Sequence, residues 1–294
     1  KVAFIKRKIK MELKFEPETH LYQSIDEPDK KWTSVTTLIG LFKEKFDTDA
    51  VALKCSQRVP TNKKPNKWYG MMPEQIKEAW KNEQHRADSL GTWYHDQREQ
   101  EVLACETLRR DDIDIPVFHP IIKEGIKMAP DQNLVEGIYP EHFMYLKSAG
   151  LCGQADRVEV IGDRVDVYDY KSNKKIEQQS HVNWEGISKK MYPPVQHLDD
   201  CNLMHYTLQL SIYMYIILKH NRHLKPGKLV LQHVSFEVGG ENEFGYPIHA
   251  LDLAGDPIVK EVVPYELPYL KDEVESMIKY ISKNPNILVD DKTV

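Results

Sequence analysis

The sequence predicts an α/β protein with a mixed central sheet and a helical N-terminal region. Three observations predict it. Residues 35–110 carry mostly helical patterning. Three strand-like segments follow between 141 and 171. A long helical stretch, "NLMHYTLQLSIYMYIILK" (202–219), then separates them from two more strand-like segments. Strands that alternate with helices in this order pack as a sheet covered by helices. The chain has 294 residues, of which 41% are hydrophobic and 29% charged. That is ordinary for a globular protein, and the length suits one large domain or two small ones.

The elements are read in order. Residues 11–34 look extended. Ser34 before "VTTLIGLF" reads as a helix N-cap. "PNKWYGMMP" (65–73) is a loop, and Pro73 sits well at the first position of a helix running to about Leu108. Asp88 or Ser89 restarts that helix, because Gly91 weakens its middle. "DDIDIPVFHP" (111–120) breaks it, and a short helix is expected around 120–128. Strands are expected at 141–147, 153–160 and 164–171. Residues 172–200, rich in Gln, Ser and Pro, read as an irregular insert. After the 202–219 helix come strands at 229–237 and 246–253 and a last helix at 268–283.

Composition narrows the function. No apolar run approaches the length of a membrane span. Residues 1–10 are basic and precede Met11, a candidate natural start, and they do not read as a secretory signal. Four cysteines, at 55, 105, 152 and 201, are far apart and form no C-x-x-C pair. A reducing, intracellular compartment is expected, cytoplasmic or organellar, without a disulfide framework. Cys201 and His205 lie one helical turn apart but have no second pair beside them. The net charge of −5 does not mark a nucleic-acid binder. Its distribution matters more, and basic clusters stand at 6–10, 62–67, 171–175 and 220–228.

The stretch "GQADRVEVIGDRVDVYDYKS" (153–172) reads as a β-hairpin. Gly162-Asp163 suits a two-residue turn, since glycine supplies the positive φ. That turn pairs Ile161 with Arg164 and, in the same register, sets Asp156 opposite Asp169. Opposed Cβ atoms lie about 4.5–5.5 Å apart, where like charges repel. Lys171 shares the face of Asp169, two residues away. Two carboxylates and an ammonium thus converge. A divalent cation such as Mg²⁺ resolves the conflict. A solvent-exposed hairpin with cross-strand ion pairs is the other reading, and the hairpin alone does not choose.

"GQAD" followed by "DYKS" resembles the G-x-x-D…(D/E)-x-K signature of the PD-(D/E)XK nucleases. Three further pieces resemble the RecB-like branch of that superfamily. "GTWYH" (91–95) is similar to its G-x-x-x-H motif, Glu141 to the acid one strand before the aspartate, and "QLSIY" (209–213) to its Q-x-x-x-Y motif. More loosely, "THLY" and "SVTT" (19–37) are similar to the N-terminal region of phage-type and mitochondrial genome-maintenance exonuclease-like members. Ala155 replaces the proline that often precedes the first aspartate. The C-terminal cysteine trio of the iron–sulfur subgroup is missing, so no cluster is expected.

The resemblance implies a restriction-endonuclease-like core at 111–294, with residues 1–110 covering the active site, the two expected to be integrated as one domain. It implies a Mg²⁺- or Mn²⁺-dependent nuclease, expected to be a single-strand-preferring exonuclease acting on DNA strands or duplex ends. Asp156 and Asp169 would bind the metal, with the Tyr170 carbonyl, Glu141 and His95 completing its surroundings. Lys171 would position the attacking water, help deprotonate it and offset charge on the phosphate. Gln209 and Tyr213 would hold the strand. Trp93 and Tyr94, or Trp68 and Tyr69, would stack on bases. A duplex endonuclease or RNase on the same fold, or an inactive binding module, remain the alternatives.

Overall fold

A computed structural model describes residues 13–16, 21–183 and 185–288. The basic cluster at 6–10, Met11 and part of "THLY" lie outside them. The described chain runs β1 (Leu13–Glu16), β2 (Leu21–Ser24), β3 (Thr33–Ser34), α1 (Val35–Gly40), α2 (Thr48–Gln57) and α3 (Pro73–Leu103). It continues with β4 (Thr107–Arg110), β5 (Ile113–Pro116), β6 (Ile121–Lys123), β7 (Ile126–Met128), β8 (Gly137–Leu146), β9 (Leu151–Ile161) and β10 (Arg164–Lys171). Then come α4 (Asn202–His220), β11 (Lys225–Phe236), β12 (Val238–Glu241), β13 (Pro247–His249), β14 (Val259–Leu267) and α5 (Lys271–Lys283).

The expected mixed sheet is present. Its order is β14-β11-β10-β9-β3, with β8 also on β9. β10 and β11 run parallel, as do β3 and β9, while β8–β9, β9–β10 and β11–β14 are antiparallel. α4 lies across the sheet with α1 and α5 beside it, and every residue from Thr207 to Ile217 is buried. A helix apolar on all sides is one covered on all sides. The C-terminal half of α3 packs through Leu90 and Tyr94 against Tyr170, Val234 and Phe236.

Several local predictions hold for their stated reasons. The Ser34 hydroxyl accepts from the Thr37 N–H, capping α1. Pro73 opens α3. Gly162 has φ 60°, and the hairpin register pairs Ile161 with Arg164 through Arg157 with Tyr168. Residues 172–200 contain only isolated bridges among the described residues.

Other expectations are corrected. Residues 120–128 are not a helix but the hairpin β6–β7, because Glu124 and Gly125, with φ 52° and 78°, form a left-handed two-residue turn. Such turns are built for hairpins. Residues 107–116 are likewise a hairpin, turning at Asp111 with φ 50°. α3 runs unbroken through Gly91, where a Cβ would lie 3.2 Å from Ser172 Oγ. That glycine serves close approach of the helix to the chain after Lys171, not a break. α2, capped by Asp47 on the Ala50 N–H, was not foreseen. Nor was β14, an exposed edge strand, whereas the strand expected at 246–253 shrinks to Pro247–His249.

Gly153 fixes how closely β9 meets α4. A Cβ there would stand 2.6 Å from Tyr213 Cε1 and 3.2 Å from Val35 Cγ2. Gly153→Ala is therefore an overpacking change in a rigid place and should cost about 1–3 kcal/mol. Chemical denaturation of the variant beside wild type measures it; an unchanged midpoint would show that the ring has room to move.

Candidate active site

Three neighbouring strands bring three acids into one row. The β8–β9 register pairs Pro140 with Arg157 and His142 with Ala155, which sets Glu141 against Asp156. The β9–β10 register sets Asp156 against Asp169. Neither ladder is bonded at this row. The Tyr170 N–H instead donates to Asp156 Oδ2 at 2.5 Å. Glu141 sits at φ 48°, a left-handed conformation inside a strand. Such strain costs about 1–3 kcal/mol and gathers at functional sites.

Each acid has its own partner. Lys171 Nζ lies 2.5 Å from Asp169 Oδ2, and Gln209 Nε2 donates to Asp169 Oδ1 at 3.1 Å. Lys127 Nζ, from β7, lies 3.8 Å from Glu141 Oε2, which also accepts from Gln154 Nε2. His95, from α3, brings Nδ1 to 3.3 Å from Asp156 Oδ1 and 4.0 Å from Glu141 Oε1.

The other nitrogen of His95 decides what this arrangement can hold. Nε2 lies 3.2 Å from the Tyr170 carbonyl, which can only accept. Nε2 therefore carries a proton, and the neutral tautomer turns the Nδ1 lone pair toward the two carboxylates. A backbone carbonyl holding the second nitrogen of a ligating histidine is the usual support of a metal site. Among the described residues, His95, Glu141 and Asp156 form one group whose ligand atoms all lie within 4.8 Å of one another. One nitrogen and two carboxylate oxygens suit a divalent cation such as Mn²⁺ or Mg²⁺. Asp169 stands outside that group, turned toward Lys171 and Gln209. The Tyr170 carbonyl is engaged by His95.

Crowding shifts the titrations. Burial would pull His95 down, but Asp156 and then Glu141 outweigh it and raise it to about 9. Burial pushes Glu141 up, and Asp156 adds to the shift. Burial also pushes Asp169 up, against the pull of Lys171. Burial works against the Lys171 ammonium, yet Asp169 and Asp156 raise it.

The expected substrate contacts face inward. Gln209 and Tyr213 are 8% and 4% exposed, and Gln209 Nε2 also donates to the Tyr213 hydroxyl at 3.1 Å. Tyr94 is 3% exposed and meets Tyr170 and Phe236 edge-on, with no open face for a base. Trp93 Nε1 donates to Asp256 Oδ1 at 3.1 Å. Trp68 is buried against Phe244, whereas Tyr69 is exposed. His205 gives its Nε2 to Asp200, 2.8 Å away, rather than joining Cys201. Lys127, Gln154 and Tyr206 were missed. The Tyr206 hydroxyl donates to Asn173 Oδ1, and its ring lies 5.2 Å from Lys171 Nζ. Gln154 and Tyr206 open on a cleft of about 800 Å³ that His95, Glu141 and Lys171 also line, with Gly91 and Thr92 in its wall.

Residues 55–284 match the PD-(D/E)XK nuclease superfamily, and the chain belongs to it. No match was found among curated proteins. The superfamily is one of nucleases that use divalent metals, which the donor set of His95, Glu141 and Asp156 fits. Among the described residues no helix is long and apolar enough to cross a membrane.

A cation entering this group must displace the protons that crowding retains. The raised His95 and Glu141 hold theirs at neutral pH, so affinity for Mn²⁺ should rise steeply from pH 6 to pH 9, with proton release on binding. Calorimetric titration in two buffers of different ionisation heat tests this. A pH-independent affinity would place the metal elsewhere.

Proposed function

We propose that the protein is a single-strand-preferring DNA exonuclease of the RecB-like branch, working with Mg²⁺ or Mn²⁺. The observation that carries the reading is the His95 Nδ1 turned onto the carboxylates of Asp156 and Glu141, in the same row as Asp169, which stands two residues before Lys171 on its strand. His95, Asp156 and Glu141 would hold the metal, with Asp169 beside them on the adjacent strand, engaged by Lys171 and Gln209. When bound, the metal polarises the phosphate and lowers the pKa of its water.

The protein's own groups do the rest. Lys171, whose ammonium burial opposes and Asp169 and Asp156 favour, lies against Asp169 at the head of the cleft. It orients the attacking water and offsets charge growing on the phosphate. It also helps deprotonate that water, as the resemblance implies. Gln209 fixes the Asp169 carboxylate and Tyr213 fixes Gln209, so both act as positioning residues. Tyr206, beneath the Lys171 ammonium and on the cleft wall, takes over the aromatic role first given to Tyr94.

The preference for a free strand end rests on the covering elements. α3 forms one wall of the cleft. α2 and the α3 N-terminal half pack with Phe244 and Tyr246 of the loop between β12 and β13. We read α2 and α3 as a cover over the nuclease core. Lys67 ties that cover together: its Nζ donates to the Phe244 carbonyl and lies 4.7 Å and 4.1 Å from the Trp68 and Tyr246 ring centres.

Two outcomes are expected. Lys171→Ala and Asp156→Asn should each lower single-turnover cleavage by at least about 10²-fold, the scale of losing one preorganised stabilising group, and EDTA should abolish it reversibly. Retained cleavage in EDTA sinks the metal mechanism. Linear single strands should be degraded while closed circular ones resist. Rapid cutting of circles would reject the exonuclease reading and leave the chemistry standing.

A further inference from the structure

Glu141 faces two spaces. One is the cleft described above. The other is a separate cavity of about 260 Å³ behind it, where Glu141 and Lys127 meet walls from Phe118, Tyr139 and Asn133. The volume is just below the usual range of ligand pockets, roughly 300–1,000 Å³. It suits one heterocyclic base and cannot take a length of strand.

The aromatic wall is built in advance. The Phe118 ring stacks on Tyr139, with centroids 4.7 Å apart and planes within 7°. The Phe118 N–H donates to the Ile138 carbonyl at 2.8 Å. Gly137 leaves the ring its place, since a Cβ there would come 2.3 Å from Phe118 Cε2. Despite this fixation Phe118 remains 39% exposed. A large apolar ring, held rigid and left open beside a cavity, offers a stacking surface at little entropic cost. The charge at the other end complements it. Lys127 is largely enclosed, its side chain 13% exposed, and its partner is Glu141. A cation held by the His95–Glu141–Asp156 group would draw on Glu141, leaving Lys127 Nζ to meet another anion.

We propose that this cavity is a nucleotide pocket, taking the base next to the scissile bond against the Phe118–Tyr139 stack and its phosphate toward Lys127. The occupant is a nucleotide rather than a peptide or lipid because the cavity brings a flat aromatic wall together with the Lys127 side chain, with Asp131 and Glu141 also in the lining. It also shares Glu141 with the row where a phosphodiester would be cut. The proposal rests on the nuclease reading for its place in the reaction, but not for its ligand.

The test uses deoxyadenosine 5′-monophosphate and inorganic phosphate, titrated calorimetrically into the full chain without metal and with Ca²⁺. Phe118→Ala should weaken the nucleotide by about 5- to 150-fold, the range of one lost base–aromatic stack, and leave phosphate unchanged. Phe118→Tyr should restore it. Lys127→Gln should weaken both ligands, more so with Ca²⁺ present. In cleavage, a strand with one abasic residue at the terminal position should show a raised KM with wild type and no further rise with Phe118→Ala. No nucleotide binding by wild type, or equal affinity in Phe118→Ala, overturns the pocket. A protein that binds the nucleotide here yet cuts no strand under Mg²⁺ or Mn²⁺ rejects the nuclease reading and keeps the pocket.

Discussion

The structure depends on the repulsion among three carboxylates placed side by side on β8, β9 and β10. Like charges at cross-strand spacing destabilise a sheet, and burial raises the cost of each. The fold answers from three directions. β7 brings Lys127 to Glu141, α3 brings His95 to Asp156, and β10 carries Lys171 two residues beyond Asp169. These three contacts explain why a long helix, a small N-terminal sheet and the central sheet must meet at one point. α4 adds a neutral contribution through Gln209, which spends one amide on both Asp169 and Tyr213.

Much of this was legible in the letters. The Gly-Asp turn alone sets the β9–β10 register, and with it the opposition of Asp156 and Asp169. The G-x-x-x-H and Q-x-x-x-Y spacings pointed to His95, Gln209 and Tyr213. Their directions were not legible. Whether a glutamine two turns into an apolar helix looks out at substrate or in at a carboxylate depends on the distance between helix and sheet. That distance is set by Gly153, whose missing Cβ makes room for Tyr213.

Lys127 was lost for a different reason. "IIKEGIKM" has enough apolar spacing to read as a short helix, and in that reading Lys127 is a surface charge. The signal that could have found it was Glu-Gly between two apolar pairs, a left-handed turn that makes a hairpin. Gln154 was available by the argument used for the aspartates, being a polar residue on their face of β9. An exposed edge strand such as β14 escapes because charged residues and Pro264 interrupt its apolar alternation and nothing in the chain says which neighbour it joins.

The left-handed backbone at Glu141 has a consequence for anyone who would make this protein more robust. As far as the main chain is concerned, glycine or asparagine suits position 141 better than glutamate. A campaign that rewards heat tolerance alone pushes the position that way, and each step gained there removes an acid from the row. Resilience and chemistry compete for one residue, so screening for one without assaying the other would drift toward a sturdy, silent scaffold.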